Sequence, residues 1–135
     1  MLGITNAEHE ETAPEASALV VSRLACSLVG KTESVRISRH TRTHQAYGRS
    51  EVTEQFRCNF GLNAKYLPYF SKSLLRVAGV DREGNARVVE LPDHPFFVAT
   101  LYLPQLTSQP GKPHPLVLAY LRAARAFRDR GARAA

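Results

Sequence analysis

The sequence has no tryptophan, one methionine and two cysteines in 135 residues. Cys26 and Cys58 form neither a C-x-x-C pair nor part of a C-x-x-C…H-x-x-H set, which excludes a zinc ribbon and a thioredoxin-like centre. No metal and no cofactor is therefore expected. No apolar run approaches the roughly 20 residues that cross a bilayer, and no basic segment followed by an apolar one opens the chain. The expected location is the cytoplasm, where a structural disulfide between the two cysteines would be unusual. No Gly-x-x-x-x-Gly-Lys-Ser/Thr occurs, so the chain carries no phosphate-binding loop of that type. Internal repeats and low-complexity tracts are also absent.

What is present describes a globular chain. Hydrophobic residues make up 44% and charged residues 22%, a balance that allows one domain with a core. The formal charge is +6, and much of it gathers at the end, in Arg122, Arg125, Arg128, Arg130 and Arg133. Cations suit the C-terminal end of a helix dipole. No aromatic or glycine-rich RNA-binding signature accompanies them, so a solvated helix end is preferred over a nucleic-acid partner.

Along the chain, residues 1–16 read as a polar loop broken by Pro14. Ala18–Val21 and Leu24–Val29 are apolar runs of strand length, and Ser34–Ser38 alternates like a half-buried strand. Residues 39–50 read as a mobile loop, and Glu51–Phe60 as a further strand. Asn63 suits a helix cap, before a stretch weakened by Pro68. Leu75–Gly79 and Ala86–Leu91 flank Asp81-Arg-Glu-Gly84, a hairpin signal. Phe96–Tyr102 is continuously apolar and predicts a buried central strand. A loop with Pro104, Pro110, Pro113 and Pro115 leads to an amphipathic helix over Leu116–Arg130.

The segment from His94 through Leu103-Pro104-Gln105 to Leu116 resembles the end of the glutamine-hydrolysing domain of CTP synthase, a class I glutamine amidotransferase. Ser73–Gly79, Val88–Pro95 and Arg57–Asn63 follow the same domain in order. Leu24-Ala-Cys-Ser-Leu-Val-Gly30, Cys58–Asn63 and Ala99–Gln105 are similar to a divergent group, the CTP synthase C-terminal-region-related (seleno)proteins. The resemblance implies an α/β fold: the C-terminal half of a doubly wound domain, with a mixed sheet, a β-hairpin and a C-terminal helix. It spans residues 1–135, with Met1 placed where the family's nucleophile helix has just ended.

The same resemblance implies that the catalytic set is gone. In the family a strand of this type runs into His-Pro-Glu, the base and its orienting acid. Here Leu103 and Gln105 stand in those places. Leucine accepts no proton at any pH, and a neutral amide cannot stabilise an imidazolium. Acid–base assistance is worth about 10²–10⁴ in rate, and loss of a whole triad costs on the order of 10⁶. Asn59 takes the place of the arginine that grips the substrate carboxylate, while Glu11 falls where the family binds the substrate amine. Neither cysteine lies in the Gly-x-Cys-x-Gly turn that carries the nucleophile. His94 and His114 each precede proline, which favours extended backbone, and His94 matches a noncatalytic His-Pro of the family.

The leading expectation is a catalytically degenerate amidotransferase-like protein that does not hydrolyse glutamine, with a glutamine-like ligand still possible at Glu11 and Asn59. Participation in CTP synthesis, a glutamine-hydrolysing ligase activity, is the homology-based alternative. A thiol or selenol redox role at Cys58 or Cys26 is another, since selenoprotein kinship suggests a reactive group and Arg57 adjoins Cys58. Either cysteine alone is more simply a small buried hydrophobe. A central strand lacking neighbours on one side would leave an open sheet, so self-association or a covering partner is also expected.

Overall fold

A computed structural model describes residues 2–131; Met1 and Arg133 lie outside them. The alternation of Thr32–Ile37 (β3) and Glu51–Gln55 (β4) turns Val35, Ile37 and Val52 inwards. These two strands pair antiparallel, with Val35 opposite Val52. They form one side of a five-stranded sheet ordered β4-β3-β6-β7-β8, where β6 is Arg76–Val80, β7 Ala86–Glu90 and β8 Val98–Thr100. Every pairing in this sheet is antiparallel.

A smaller sheet holds β1 (Ala7–His9), β2 (Ala18–Arg23) and β5 (Phe60–Leu62), with β2 in the middle. Its β1–β2 pair is parallel and its β2–β5 pair antiparallel. The two sheets meet closely at Gly61. A Cβ there would come within 2.7 Å of Leu24 Cδ2 and 3.3 Å of Leu101 Cδ2.

Four short helical elements and one long one complete the described residues: α1 (Arg42–Tyr47), a 3₁₀ turn at Ala64–Tyr66 leading into α2 (Leu67–Phe70), a 3₁₀ turn at Pro104–Leu106, and α3 (Pro115–Gly131). The mixed α/β character, the β6–β7 hairpin and the C-terminal helix are as the sequence predicts. The hairpin turn is built by Asp81, whose Oδ1 accepts the N–H groups of Glu83 and Asn85, each at 2.9 Å.

Four local expectations are corrected. Residues 1–16 contain β1, because the backbone at Ala7–His9 finds a partner in β2. Residues 39–50 hold α1 rather than a loop. Thr41 caps it by accepting the His44 N–H at 2.9 Å, and Gly48 ends it in the left-handed conformation at φ 68°. Leu24–Val29 is irregular: Leu24 and Leu28 donate to the carbonyls of Asn59 and Cys58, and Leu28 is the buried member of the run. Phe96–Tyr102 is not a central strand, since β8 covers Val98–Thr100 at the sheet edge. The chain enters β8 from a turn in which His94 Nδ1 accepts the Phe96 N–H.

Beyond β8 the chain crosses to the opposite edge of the same sheet. Tyr102 bridges Phe56, and Leu103 donates its N–H to the Gln55 carbonyl at 3.1 Å. The sheet thus curls around a core of Val35, Ile37, Val52, Phe56, Ala78, Val88, Tyr102 and Leu116. Phe56 and Tyr102 meet edge to face, with ring centroids 5.8 Å apart. Gly79 lies inside this curl. A Cβ there would sit 2.9 Å from Val88 Cγ2, 3.1 Å from Ile37 Cδ1 and 3.2 Å from Val35 Cγ1. Gly79→Ala is therefore expected to lower stability by about 1–3 kcal/mol through overpacking. Thermal denaturation measures it, and an unchanged midpoint contradicts the crowding.

Candidate functional site

Leu103-Pro104-Gln105 leaves the sheet as a 3₁₀ turn over Pro104–Leu106, with Leu103 half-buried and Gln105 exposed. Beneath this turn lies a buried polar quartet. Glu54, whose strand alternation aims it inwards beside Val52 and Phe56, is 3% exposed. Its Oε1 accepts the Tyr47 hydroxyl at 2.6 Å and lies 3.0 Å from His114 Nε2. Tyr47 Oη is also 3.0 Å from Tyr102 Oη and 3.1 Å from His114 Nε2. Thr107, at the end of the 3₁₀ turn, reaches Glu54 Oε2 at 3.4 Å.

The donor inventory assigns the protons. His114 Nδ1 accepts the Leu116 N–H at 3.1 Å, so the neutral ring carries its hydrogen on Nε2 and donates towards Glu54. Tyr47 has a single hydrogen, which goes to the carboxylate, and Tyr102 then donates to the Tyr47 oxygen. Burial first, then the neighbouring Tyr102 and the Glu54 hydrogen bond, push the Tyr47 phenol far above its ordinary range. Burial likewise raises Tyr102, and the Glu54 charge adds to it. Both phenols are fixed as neutral donors. His114 is 3% exposed, with both nitrogens engaged. It has no lone pair to offer a thiol.

This quartet is the part of the site that sequence reasoning missed. A signal was available: Val52, Glu54 and Phe56 share one face of β4, and a carboxylate among inward-facing residues demands donors. A second buried anchor, Glu90, was missed in the same way. It accepts from Arg76, from the backbone N–H groups of Arg42 and Thr43, and from the Thr43 hydroxyl.

The other candidates gather elsewhere. Glu11 is exposed in the turn after β1, where its N–H meets His9 Nδ1 at 3.1 Å. Asn59 is exposed just before β5. Because β1 runs parallel to β2 and β5 antiparallel to it, both lie at one end of the small sheet, roughly two strand spacings or ~10 Å apart. The end of β2 between them carries Arg23, its guanidinium 5.1 Å from the Phe60 ring centroid. The sequence reading overlooked this cation. His9 packs against the same ring in a tilted arrangement, with centroids 5.1 Å apart. His94 is exposed in the turn after β7, where it serves as the acceptor already described.

Cys26 and Cys58 are free thiols. Cys26 is exposed at the mouth of a cavity of about 530 Å³ that also touches Lys31, Glu33, Arg82 and Arg87. Cys58 is half-buried, its backbone tied to Leu28. Iodoacetamide at neutral pH is expected to label Cys26 several-fold faster than Cys58, because exposure limits access. Peptide mapping by mass spectrometry reads the order, and faster labelling of Cys58 contradicts it. Among the described residues no cluster of metal-ligating side chains occurs, and no helix is long and apolar enough to cross a membrane.

No protein-family profile matches the chain. CTP synthase of Pyrobaculum aerophilum is 34% identical over 134 residues, covering 92% of this chain and 25% of that protein. CTP synthase of Gluconobacter oxydans is 41% identical over 85 residues, which is 62% of this chain and 16% of that protein. The chain thus spans a quarter or less of these curated relatives. Among solved structures, the glutaminase domain of Trypanosoma brucei CTPS with bound acivicin superposes with a TM-score of 0.86 at 24% identity, over 93% of this chain and 53% of that one. That likeness shows the fold. A GMP synthase component from Thermoplasma acidophilum shares the fold more loosely, with a TM-score of 0.62 at 14% identity, over 82% of this chain and 51% of that one. Sequence similarity across nearly the whole chain and the fold match agree: the chain is homologous to the class I glutamine amidotransferase domain, the glutaminase domain, of CTP synthase, and corresponds to part of it.

Proposed function

We propose that this chain is a catalytically degenerate member of the glutaminase lineage, a binding or scaffold module that does not hydrolyse glutamine. The observation that carries the reading is the pairing of Leu103 and Gln105 with a committed His114. The place where the family keeps its base holds a half-buried hydrocarbon, and the nearby buried histidine already uses both nitrogens. Neither cysteine has a histidine among its hydrogen-bond partners, so no thiol here is activated by an adjacent base.

The end of the small sheet favours retention of an amino-acid-like ligand. Glu11 offers a carboxylate to an ammonium group, while Arg23 and Asn59 offer donors to a carboxylate. Arg23 supplies the charge that an asparagine lacks. CTP formation as such belongs to the full-length relatives, whose length this chain covers only in small part. In this reading the chain does not perform it alone.

Ammonia release from glutamine, followed with a coupled glutamate dehydrogenase assay, is expected to stay at the no-protein blank. The double variant Leu103→His with Gln105→Glu is expected to stay there too, because no Gly-x-Cys-x-Gly nucleophile turn occurs in the 135 residues. Turnover at an ordinary enzymatic rate, about 1 s⁻¹ or more, in either protein overturns the proposal.

A further inference from the structure

Between residues 24–28, the start of β3 and the β6–β7 turn lies the cavity of about 530 Å³ that opens at Cys26. Its size falls in the range of roughly 300–1,000 Å³ usual for small-molecule sites. None of Glu11, Arg23 and Asn59 lines it, so it is a different place from the end of the small sheet.

The cavity wall includes a buried cation with donors to spare. Arg87 is 6% exposed, and its Nη2 donates to Asp81 Oδ2 at 2.6 Å. The rest of the guanidinium is unused: Nε is buried with no acceptor, and Nη1 donates to none among the described residues. Asp81 cannot serve them. A carboxylate offers about four acceptor positions, and the turn fills them. Oδ1 takes the Glu83 and Asn85 N–H groups, and Oδ2 takes Asn85 Nδ2 beside Arg87. A buried N–H without an acceptor is costly, and a ligand oxygen relieves that cost.

The rim carries separated charges of both signs. Lys31 and Arg82 are exposed, and Glu33 is half-buried on the inward face of β3 that it shares with Val35. None of these three has an ion-pair partner among the described residues. Three cations (Lys31, Arg82, Arg87) stand against three carboxylates (Glu33, Asp81, Glu83) around the cavity. A polyanion gains little from such a balance, whereas a ligand with ends of opposite sign finds a partner for each. Leu24 and Leu28 add hydrocarbon to the lining.

We propose that this cavity is a binding site for a small zwitterion of the short-peptide class. The ligand's carboxylate takes the spare N–H groups of Arg87, with Lys31 and Arg82 around it. Its ammonium group pairs with Glu33, and an apolar side chain rests on Leu24 and Leu28.

The exposed Cys26 at the mouth reports occupancy. The probe is the tripeptide Gly-Leu-Gly, added to the whole chain while the rate of iodoacetamide labelling at Cys26 is followed by mass spectrometry. Labelling is expected to slow about fivefold and to saturate, because a filled cavity limits access. N-acetylation or C-amidation of the peptide removes one charge and is expected to weaken binding about tenfold in each case. Glu33→Gln is expected to weaken the free peptide about tenfold and to leave the N-acetyl peptide unchanged, the coupling that a direct pair produces. Arg87 also braces the turn, so the carboxylate end is tested with Lys31→Gln and Arg82→Gln together. That exposed pair is expected to weaken the free peptide about fivefold and the C-amide not at all. Equal binding of the acetylated or amidated peptide overturns the proposal. So does a Glu33→Gln protein that weakens every peptide alike, since the change is then structural. Equal protection of Cys26 by inorganic phosphate also overturns it, because the cavity then takes any anion. Unchanged labelling at about 10 mM peptide, tenfold above a Kd of about 1 mM, does the same.

Discussion

Glu90→Ala is expected to lower stability by about 3 kcal/mol and the melting midpoint by roughly 10 °C. Glu90 is fully buried and ties together three elements: Arg76 on β6, and the backbone of Arg42 and Thr43 at the start of α1. Removing the carboxylate strands two peptide N–H groups, the Thr43 hydroxyl and one guanidinium edge at once. The cost falls at the low end of the range for broken buried pairs because the Arg76 side chain is 42% exposed and water can re-solvate it. Glu90→Gln keeps the shape and one acceptor and is expected to cost less than half as much. If alanine and glutamine cost the same in chemical denaturation, the anchor is steric rather than electrostatic.

The same contacts set an acid dependence. Burial alone would raise the Glu90 carboxyl. The bonds from Arg76, from the Thr43 and Arg42 N–H groups and from the Thr43 hydroxyl overcome that and hold it below its ordinary 4.5. Asp81 is likewise held below 3.8, its burial outweighed by Asn85, Arg87 and the turn backbone. Unfolded carboxyls take up protons first as pH falls, so the unfolded state binds more protons in that window. The stabilisation is complete above the ordinary values and declines as pH drops through the depressed ones. Glu90→Ala should accordingly flatten the acid limb of the stability curve below about pH 4.5.

Glu54→Ala is the second large effect, about 2–4 kcal/mol. It removes the shared acceptor of the Tyr47 hydroxyl and the His114 Nε2–H, leaving them a cavity with only each other and Tyr102 as polar partners. Glu54 also precedes Gln55, whose carbonyl holds Leu103. The variant is therefore expected to speed amide exchange at Leu103 more than at Val77 in the remote hairpin. Tyr47→Phe leaves the carboxylate in place and removes one donor, for about 1–2 kcal/mol. A Glu54→Ala protein as stable as the parent would show that the quartet carries no net stabilisation.

Much of the framework is legible in the chain because local rules and tertiary demands agree. Asp81-Arg-Glu-Gly84 closes a hairpin wherever it stands between two β-rich runs, and Asn63 caps the helical turn that follows it. Leu103 and Gln105 are singled out only because their neighbours resemble a known strand ending. The failures have a common cause. The helix α1 is short and polar, and what holds it is Glu90, 47 residues away from Thr43 in sequence; no local pattern announces that. Phe96–Tyr102 misled because seven apolar-leaning residues serve three tasks: a turn, an edge strand and a crossing to β4. Leu24–Val29 misled because its apolar residues follow the path of another segment rather than a face. Arg23 escaped notice because its place beside Asn59 follows from pairing of β2 with β5, which the sequence does not display.

The bridge between Phe56 and Tyr102 has a kinetic meaning. It joins positions 46 residues apart in sequence, so its formation costs loop entropy that the β6–β7 turn, only a few residues long, does not. Assembly is expected to begin at that turn and finish with the crossing to β4, which leaves Leu103 and Gln105 seated by the last event in the pathway. Strain or destabilisation of this closure is then felt chiefly as faster opening of the finished fold, in the 3₁₀ turn that follows Leu103.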